Sequence, residues 1–535
     1  MKFPGGRAFP PRGEFPLRTR PGPPRRDRTG YVPPLWWSLA PAAAALCLYG
    51  LWAPPVSGDK DGSEFTLVLA LNGIPHPTGY PLYSLLGHLF VRGLRVLGTG
   101  APHAANLWSA AGGAVAVFFL HASVLLLAPA GEPAGGVVRS VRALVPVALF
   151  SLNPLWTYET TSAEVYAWHL AWTSGCVFLY VRLIMHADAA AGPLPARRWA
   201  LWGLVCGAGA AHHATWILVA LPLTVHLILR GRGGRRRAVA AIPGLCLPPL
   251  AGFGFIAWRA FHPAAWQWPA LGPGWGEAWE HVRGAAYGGF LGSFAPSGEQ
   301  AALLASYLYP FLFPFLASLA GAAWLCRSRN EGAPLGVLLL AAVLSLAFAF
   351  SYGVPDPGSY FLTPLALGSL GLLPLLERVG ERSALLRTAA RVAWAGLFLL
   401  TAFLAFRWTE TAVERARVFG EFDRLCVSMW RAVPEGEVLV VWPSDMHLRL
   451  VEYQILRGER PDVFVLNPFL LRAERPRREF VSRFGFDPSE GGGGARTQGR
   501  YLEHVMTRLR LRSPVPVVVF DPERASVRLL GRDGS

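Results

Sequence analysis

Side chains that can transfer protons or bind phosphate are scarce in this apolar chain, and they collect in a few short segments. Carboxylates and imidazoles act as general acids and bases, and a polar side chain near a bilayer is costly enough to need a reason. The segments contribute Asp59, Asp61, Glu64, His76, Glu159, Glu164, His212, His213 and Asp356. Because these residues flank apolar runs, we expect them to converge on one face of a membrane protein. The alternative is that loops outside a membrane are wet and carry polar residues for that reason alone.

The composition indicates that a membrane surrounds much of the chain. Of 535 residues, 52% are hydrophobic and 16% are charged, whereas globular domains carry about 25% charged residues. Runs such as 333–352 and 392–406 have helix length and lack Asp, Glu and Lys, as expected of membrane-spanning helices. The formal net charge of +16 comes from arginines at the ends of apolar runs, which indicates membrane topology and not nucleic-acid binding. The six cysteines form no CxxC pair and are predicted to be packing residues.

The apolar runs predict a mostly α-helical polytopic membrane protein with about eleven transmembrane helices, and these helices would hold the polar residues in place. A basic tail, residues 1–33, precedes the helices and is expected to be disordered. A cleaved signal peptide is the alternative to a retained first helix. The predicted spans are residues 34–52, 104–128, 141–155, 163–185, 199–211, 213–229, 238–258, 301–326, 333–352, 359–377 and 388–406. The segment 199–230 is either one long helix or a hairpin of two short ones.

The distribution of basic residues sets the expected orientation. With the N-terminus in the cytoplasm, the outer loops contain five basic residues, Lys60, Arg92, Arg95, Arg259 and Arg283. The inner loops contain sixteen, Arg139, Arg142, Arg182, Arg197, Arg198, Arg230, Arg232, Arg235, Arg236, Arg237, Arg327, Arg329, Arg378, Arg382, Arg387 and Arg391. This excess agrees with the positive-inside rule. A single helix over 199–230 would break the alternation, so the charge bias favours the hairpin.

Two outer segments are unusually long. Residues 53–103 include an apolar segment near 82–97, predicted to be an interfacial helix, and residues 259–300 are rich in Trp and Gly. Since tryptophan favours the headgroup level of a bilayer, both segments are expected to lie on or dip into the outer membrane surface.

The chain changes character from residue 407. Short apolar runs at 438–441, 463–466 and 515–520 predict strands, and the pattern of 446–457 predicts a helix. Residues 407–535 are therefore expected to form a small α/β domain. An odd number of spans would place this domain outside the cytoplasm, in the periplasm of a bacterial host.

Several motifs resemble the domain of unknown function 2723 family. The first outer loop reads DGSEF from Asp61, HPTGYPLY from His76 and ANLWSA from Ala105. Weaker matches follow at Ser162–Ala167, Gly207–His213, Tyr287–Phe290, Asp445, Tyr453 and Arg460–Val463. The resemblance covers most of residues 35–475, and the HPTGYPLY octamer is its most specific part. Thr78 replaces the usual second proline, and the acidic element is DGSE, with the spacing of its two acids retained.

The resemblance implies a fold and a function. The family includes bacterial membrane proteins and the animal O-mannosyltransferase that modifies plexin-type receptors, and it implies a GT-C-type glycosyltransferase. Such an enzyme takes a sugar from a polyprenyl-phosphate donor to an acceptor hydroxyl on the extracytoplasmic face. The animal relative suggests mannose as the sugar and a protein Ser or Thr as the acceptor, and a glycan acceptor is the alternative. The expected partners are this donor, its acceptor and the lipid bilayer, with no nucleic acid.

The resemblance also implies roles for the acidic loop. Asp61 is the candidate base that takes the proton of the acceptor, and Glu64 is its positioning partner or the alternative base. Without the family, both would be read as solvated loop acids. A divalent metal near Asp59, Asp61 and Glu64 is left open as an alternative, and because the loop shows no closed ligand set, no metal is assigned to it.

The remaining candidates are assigned to the donor or to the acceptor. The donor and its phosphate are expected to contact His76, Tyr80, His212, His213, Arg259, Arg283 and Tyr287, and the acceptor side to include Glu164 and Asp356. Each has a structural alternative: a turn that caps a helix for His76 and Tyr80, a hydrogen-bonded helix end for the histidine doublet, headgroup anchoring for the arginines, and helix capping for the two acids.

Two other functions fit the same features. A transporter or flippase of lipid-linked sugars would also place acids and histidines in a membrane, although such proteins often show internal repeats and none is seen here. A non-catalytic envelope assembly protein would work through its soluble domain, and deletion of residues 410–535 would abolish its function.

Overall fold

The computed structural model describes residues 34–128, 136–190, 194–230, 235–326, 333–354, 357–381, 383–436, 438–441, 444–492, 497–521 and 526–530. The predictions for the tail 1–33 and for Asp356 lie outside these residues.

Helices dominate the described chain, and each predicted span overlaps a helical segment. The first half contains α1 Leu39–Trp52, α2 Gly62–Leu71, α3 Pro81–Val96, α4 Ala101–Leu127, α5 Gly136–Ser151, α6 Pro154–Thr161, α7 Tyr166–Ala190, α8 Ala196–His212 and α9 Ile217–Arg230. The second half contains α10 Arg235–Ala238, α11 Ile242–Phe261, α12 Trp275–Val282, α13 Gly298–Cys326, α14 Ala333–Ala349, α15 Leu362–Ser369, α16 Leu372–Gly380 and α17 Ala384–Ala432.

Several of these helices are able to cross a bilayer. In the described residues, six helical segments are long and apolar enough: Leu35–Trp52, Ala101–Leu127, Tyr166–Ala187, Arg236–Phe261, Gly358–Gly380 and Ala384–Ala432. Shorter apolar helices, Ala214–Arg230 and Ala333–Ala349 among them, accompany these segments. A helix rises 1.5 Å per residue, so about twenty residues are needed to cross the hydrocarbon core. The chain is an integral membrane protein, and the total of eleven spans stays a prediction.

The segment 199–230 contains two helices and not one. Helix α8 ends at His212, His213 is extended with φ −154° and ψ 133°, and a short 3₁₀ turn leads into α9. The charge bias of the loops had favoured two helices here, and the break between them lies at the histidine doublet.

Helices α8 and α11 approach each other backbone to backbone. A Cβ atom added at Gly203 would lie 2.0 Å from the carbonyl oxygen of Ala241, and one added at Gly207 would lie 2.1 Å from that of Gly244. Small residues four apart allow this close approach, which is a common way to pack helices in membranes. The pair holds α11, and with it the second long outer segment, against the rest of the bundle.

The last helix of the bundle extends beyond the predicted boundary at residue 407. Helix α17 runs without a break from Ala384 to Ala432, so the change in composition does not end the helix. Arg417 forms ion pairs with Glu414 and Glu421, one turn away on either side. Pairs at this spacing support an exposed helix.

A four-stranded mixed sheet follows α17. Strands β1 Val438–Val440, β2 Phe464–Leu466, β3 Val517–Asp521 and β4 Ser526–Leu529 are ordered β2-β1-β3-β4. The three strands and the helix predicted from the sequence are present, the helix being α18 Ser444–Arg457. Helices α19 Glu474–Phe484 and α20 Gln498–Arg512 and strand β4 were not predicted. Strand β4 is largely exposed, so it lacks the apolar run by which buried strands are recognised.

The glycine contact between α8 and α11 leads to a stability prediction. Gly203→Ala would overpack the contact, and we expect it to lower the stability of the purified protein by about 1–3 kcal/mol. The measurement is the thermal unfolding midpoint in detergent. The control is Gly254→Ala on α11, where an added Cβ meets nothing within 4 Å. Equal midpoints for the two variants would contradict the packing assigned to this pair.

Candidate active site

The acidic loop, residues 57–64, leads into a short helix that the sequence did not reveal. Asp61 occupies the N-cap of α2, where its carbonyl accepts the N–H of Phe65 at 2.9 Å and its side chain makes no capping hydrogen bond. Glu64 lies in the first turn of the same helix and is buried. The N-terminus of a helix favours negative charge. Helix α2 therefore holds both acids of the DGSE element at its positive end.

The HPTGYP segment turns the chain back over these acids. Gly79 has φ 84° and Tyr80 has φ 39°, and α3 begins at Pro81. A Cβ atom on Gly79 would lie 2.7 Å from Cδ1 of Ile256 and 3.2 Å from the ring of His281. Because this position combines a positive φ with close neighbours, only glycine fits it without strain. The turn brings His76 onto α2.

Asp61, Glu64 and His76 form one cluster. One potential ligand atom of each residue lies within 4.8 Å of those of the other two. The backbone N–H of His76 donates to Oε1 of Glu64 at 2.5 Å, and its Nδ1 lies 3.1 Å from the same oxygen. Nε2 of His76 lies 3.3 Å from the hydroxyl of Tyr80. The side chain of Glu64 is 1% exposed, and its carboxylate is hydrogen-bonded to His76.

The cluster keeps His76 protonated at neutral pH. Burial disfavours the imidazolium, but the negative charges of Glu64 and Asp61 and the hydrogen bond to Glu64 outweigh it and raise the pKa of His76 to about 9. A nearby opposite charge favours the charged form of a group. The site therefore offers a cation at His76 beside the half-buried carboxylate of Asp61.

Aromatic side chains cover the cluster. The ring of His76 meets those of Phe65 at 5.6 Å, Trp268 at 6.0 Å and Tyr287 at 6.0 Å. The ring of Tyr80 stacks on His213, with centroids 5.5 Å apart and planes 18° apart. The structure thus brings Tyr80, His213 and Tyr287 together with the acidic loop.

The two residues of the histidine doublet face different neighbours. His213 lies against Tyr80 and accepts at Nδ1 from the N–H of Thr215 at 3.3 Å. His212 is buried behind it, and its Nε2 lies 3.2 Å from the carbonyl oxygen of Val165. His213 is therefore part of the candidate site, whereas the contact of His212 with Val165 joins α8 to the start of α7.

The second outer segment closes over the site from the other side. The N–H of Trp268 donates to the carbonyl of Ile74 at 2.7 Å, and Nε2–H of His281 donates to that of Pro75 at 3.0 Å. Burial lowers the pKa of His281 to about 4, so this imidazole is neutral. Sequence reasoning missed both residues. The richness in tryptophan marked the segment but not which ring meets His76.

The two candidate arginines of this segment lie apart from the cluster in the contacts that the structure describes. Arg283 is exposed and pairs with both carboxylate oxygens of Glu280, at 2.6 and 2.5 Å. Arg259 stacks over Trp258 at 4.5 Å and donates to the carbonyl of His262 at 3.4 Å. None of these contacts reaches Asp61, Glu64 or His76.

A second polar group lies along α6. The hydroxyl of Tyr158 donates to Asp59 at 2.6 Å, and the guanidinium of Arg415 lies over the ring of Tyr158 at 5.2 Å. Oε1 of Glu159 accepts from the hydroxyl of Ser359 at 2.5 Å. Arg415 on α17 is a further residue that the sequence did not single out.

Glu164, the candidate for the acceptor side, is buried just beyond α6. Its exposure is 4%. Its backbone N–H lies 3.1 Å from the hydroxyl of Ser109.

Beside His213, the bundle contains a small cavity whose lining carries several polar groups among apolar ones. The hydroxyl of Thr215 lies 2.8 Å from Nδ1 of His213 and 3.3 Å from Nε2 of His169, which links the cavity to the aromatic cover. Hydroxyls, an imidazole and aromatic rings dominate the lining, which includes Tyr166, His169, Thr215, Ser345, Phe348, Ser359, Tyr360 and Thr363. Such groups are able to bind the hydroxyls and the apolar face of a sugar ring.

Asp61, Glu64 and His76 are also the described residues best placed to hold a divalent cation. They offer two carboxylates and one imidazole, a donor set that suits several divalent ions. In the structure, however, the imidazole and the carboxylate of Glu64 bind each other.

The fold is that of GT-C-type membrane glycosyltransferases. The structure of ArnT from Cupriavidus metallidurans in the apo state aligns with a TM-score of 0.52 and 12% identity, over 91% of this chain and 93% of that one. The same protein bound to undecaprenyl phosphate aligns with a TM-score of 0.49 and 13% identity, over 91% and 94%. The Archaeoglobus fulgidus oligosaccharyltransferase in the apo form aligns with a TM-score of 0.47 and 12% identity, over 90% of this chain and 69% of that one.

The sequence itself matches one family model. Residues 61–235 match the family described as the protein O-mannosyl-transferase TMEM260 N-terminal domain. The resemblance drawn from the DGSE and HPTGYPLY motifs is thereby confirmed, and the matched range contains the whole cluster and the histidine doublet. No curated protein matches the chain.

The ion pair of His76 predicts a pH-dependent stability. Because the pKa of His76 is about 9 in the folded protein and 6.5 without partners, its contribution is complete below pH 6.5 and is lost as pH rises through 9. We expect His76→Gln to cost on the order of 3 kcal/mol near pH 6 and little near pH 10. The measurement is the unfolding midpoint of both proteins across this range. His504→Gln, at a half-buried histidine of α20, is the control, and a pH-independent cost of His76→Gln would contradict the assignment.

Proposed function

We propose that this protein transfers a sugar from a polyprenyl-phosphate carrier to an acceptor hydroxyl on the extracytoplasmic face of a bacterial inner membrane. The description of the matching family supports mannose as the sugar and a protein Ser or Thr as the acceptor, and a glycan hydroxyl is the alternative acceptor. The observation that carries the proposal is the cluster of Asp61, Glu64 and His76 at the start of α2, within 4.8 Å of one another.

Asp61 is the base in this proposal. It is half-buried at the N-cap of α2, whereas Glu64 is enclosed and hydrogen-bonded to His76. A general base must reach the proton that it removes. The exposure of the two acids favours Asp61 as the base and Glu64 as its positioning partner.

His76 supplies positive charge for the departing phosphate. Its raised pKa keeps it an imidazolium at neutral pH, and a cation placed where negative charge develops lowers the barrier. In the proposed step, the acceptor oxygen forms a bond to the anomeric carbon while the bond from this carbon to the phosphate oxygen breaks. The acceptor proton passes to Asp61, and the polyprenyl phosphate leaves with its electron pair next to His76.

The surroundings of the cluster support a sugar donor. The rings of Tyr80, Trp268 and Tyr287 lie around His76 and would keep water from an activated sugar. For Arg259 and Arg283, the described contacts favour anchoring at the membrane surface over contact with the reacting phosphate.

The test of this function is donor consumption by the purified protein. With a panel of polyprenyl-phosphate sugars and peptide or glycan acceptors, we expect Asp61→Asn to lower turnover by about 1,000-fold, since a lost general base costs 10²–10⁴. Glu410→Gln, an exposed acid on α17, is the matched control and should retain wild-type turnover. Full activity of Asp61→Asn would exclude its role as base. Movement of the donor across vesicles without consumption would identify a flippase instead.

The proposed orientation has its own test. In a cysteine-free background, Lys60→Cys should react with a membrane-impermeant maleimide in intact spheroplasts, because the acidic loop is expected outside. Arg197→Cys, in a predicted inner loop, should react only after permeabilisation. The opposite pattern would place the cluster in the cytoplasm and end the proposal.

A further inference from the structure

The acidic loop is bound by an arginine that lies almost 400 residues away in sequence. Arg449 lies on α18 in the C-terminal unit, which consists of the four-stranded sheet and helices α18 to α20. Arg449 is 0% exposed. Its Nε donates to the hydroxyl of Ser63 at 2.9 Å. One terminal nitrogen donates to the carbonyl of Gly58 at 3.0 Å and also to that of Ser57. These acceptors flank Asp61 on both sides.

The second terminal nitrogen of Arg449 binds α17. It donates to Oδ1 of Asp423 on α17 at 2.7 Å, and Tyr453 donates to the same oxygen at 2.6 Å. Glu452 lies 3.8 Å from Arg449 and accepts the hydroxyl of Ser57 at 2.7 Å. A buried charge requires compensation and directed hydrogen bonds, and both are present. The guanidinium therefore joins α17, α18 and the acidic loop rigidly.

An apolar contact accompanies this polar one. Leu67 and Val68 on α2 pack in one buried cluster with Leu448 on α18 and Trp266 of the second outer segment. Helix α2 is thus held along its side by apolar packing and at its N-terminus by Arg449. Gly58 lies so close to its neighbours that a Cβ atom there would be 2.9 Å from that of Ser162, so the loop has little room to shift.

We propose that Arg449 is a positioning residue that sets the location of Asp61, so that the C-terminal unit completes the active site of the membrane bundle. The expected effect of Arg449 on turnover rests on the proposed function. Its expected effect on the position of the acidic loop rests on geometry alone. Arginine suits this role because its planar guanidinium donates hydrogen bonds to several acceptors in fixed directions, whereas a lysine ammonium does not. The C-terminal unit then acts through its docking on α2, whatever acceptor the enzyme uses.

The experiment compares Arg449→Lys with Arg460→Lys in the full-length protein. Arg460 is the matched control, because its described hydrogen bonds reach Trp430, Val433, Pro434 and Asp462, all at or near the C-terminal unit, and none reaches the acidic loop. Two quantities are measured: kcat and KM for the polyprenyl-phosphate sugar, and amide hydrogen exchange of peptides covering residues 57–66. The exchange measurement needs no substrate, so it remains decisive if the proposed function fails.

For Arg449→Lys we expect kcat to fall about 100-fold, as a displaced catalytic group can cost, with KM for the donor changed by less than about threefold. Exchange over 57–66 should become faster, whereas Arg460→Lys should alter neither quantity. Ser63→Ala should also lower kcat and speed exchange over 57–66, each by a smaller factor. Combined with Arg449→Lys, it should add less than its effect alone, because the two residues share one contact.

Wild-type kcat together with unchanged exchange in Arg449→Lys would overturn the inference. Equal losses of kcat in Arg449→Lys and Arg460→Lys would reduce Arg449 to a stability role and overturn it too. If Arg449→Lys raises exchange throughout the C-terminal unit, Ser63→Ala decides, and unchanged exchange over 57–66 in that variant rejects the positioning role. If the wild type consumes no donor while exchange responds as expected, the proposed reaction fails and the loop contact stands.

Discussion

Burial of the Glu64 carboxylate is the constraint around which this site is arranged. A carboxylate with 1% exposure is tolerated only with charged or hydrogen-bonding partners, and His76 supplies two nitrogens to one of its oxygens. To reach that position, the chain turns back after α2 through Gly79 and Tyr80, both with positive φ. The same turn starts α3 and sets Tyr80 against His213. One buried charge therefore determines the path of the first outer segment.

The same principle explains how the C-terminal unit is attached. Arg449 is as deeply buried as Glu64, and its partners come from the acidic loop, from α17 and from its own helix. Helix α17 is continuous across the predicted boundary, so the unit is fixed at its start as well as by this contact. His76 thus holds α2 through Glu64, and Arg449 holds the same helix through Ser63. The catalytic loop of the proposed enzyme lies between them.

The comparisons and the site support the function at different levels. The likeness to ArnT, at 12% identity, concerns the fold, and folds of this kind host different chemistries. The family match covers residues 61–235, which include Asp61, Glu64, His76 and the histidine doublet. The proposal of sugar transfer depends on what these residues present together: a half-buried carboxylate, an imidazolium and an aromatic cover. The C-terminal unit lies outside the matched range. Its role is inferred from the contacts that Arg449 makes with the acidic loop.

The sequence alone indicated the membrane helices, the break at His213, three of the four strands and the motifs of the family resemblance, because apolar runs and local turn residues are local signals. It also identified Asp61, Glu64 and His76 as candidates. The tertiary structure decided which acid stays accessible, which histidine of the doublet meets Tyr80, and that Arg449 and Trp268 approach the acidic loop. Apart from the contact of Glu64 with His76, these features depend on contacts between residues about 130 to 390 positions apart in the chain. Their pairing is set by how the whole bundle packs, and local periodicity carries no record of it.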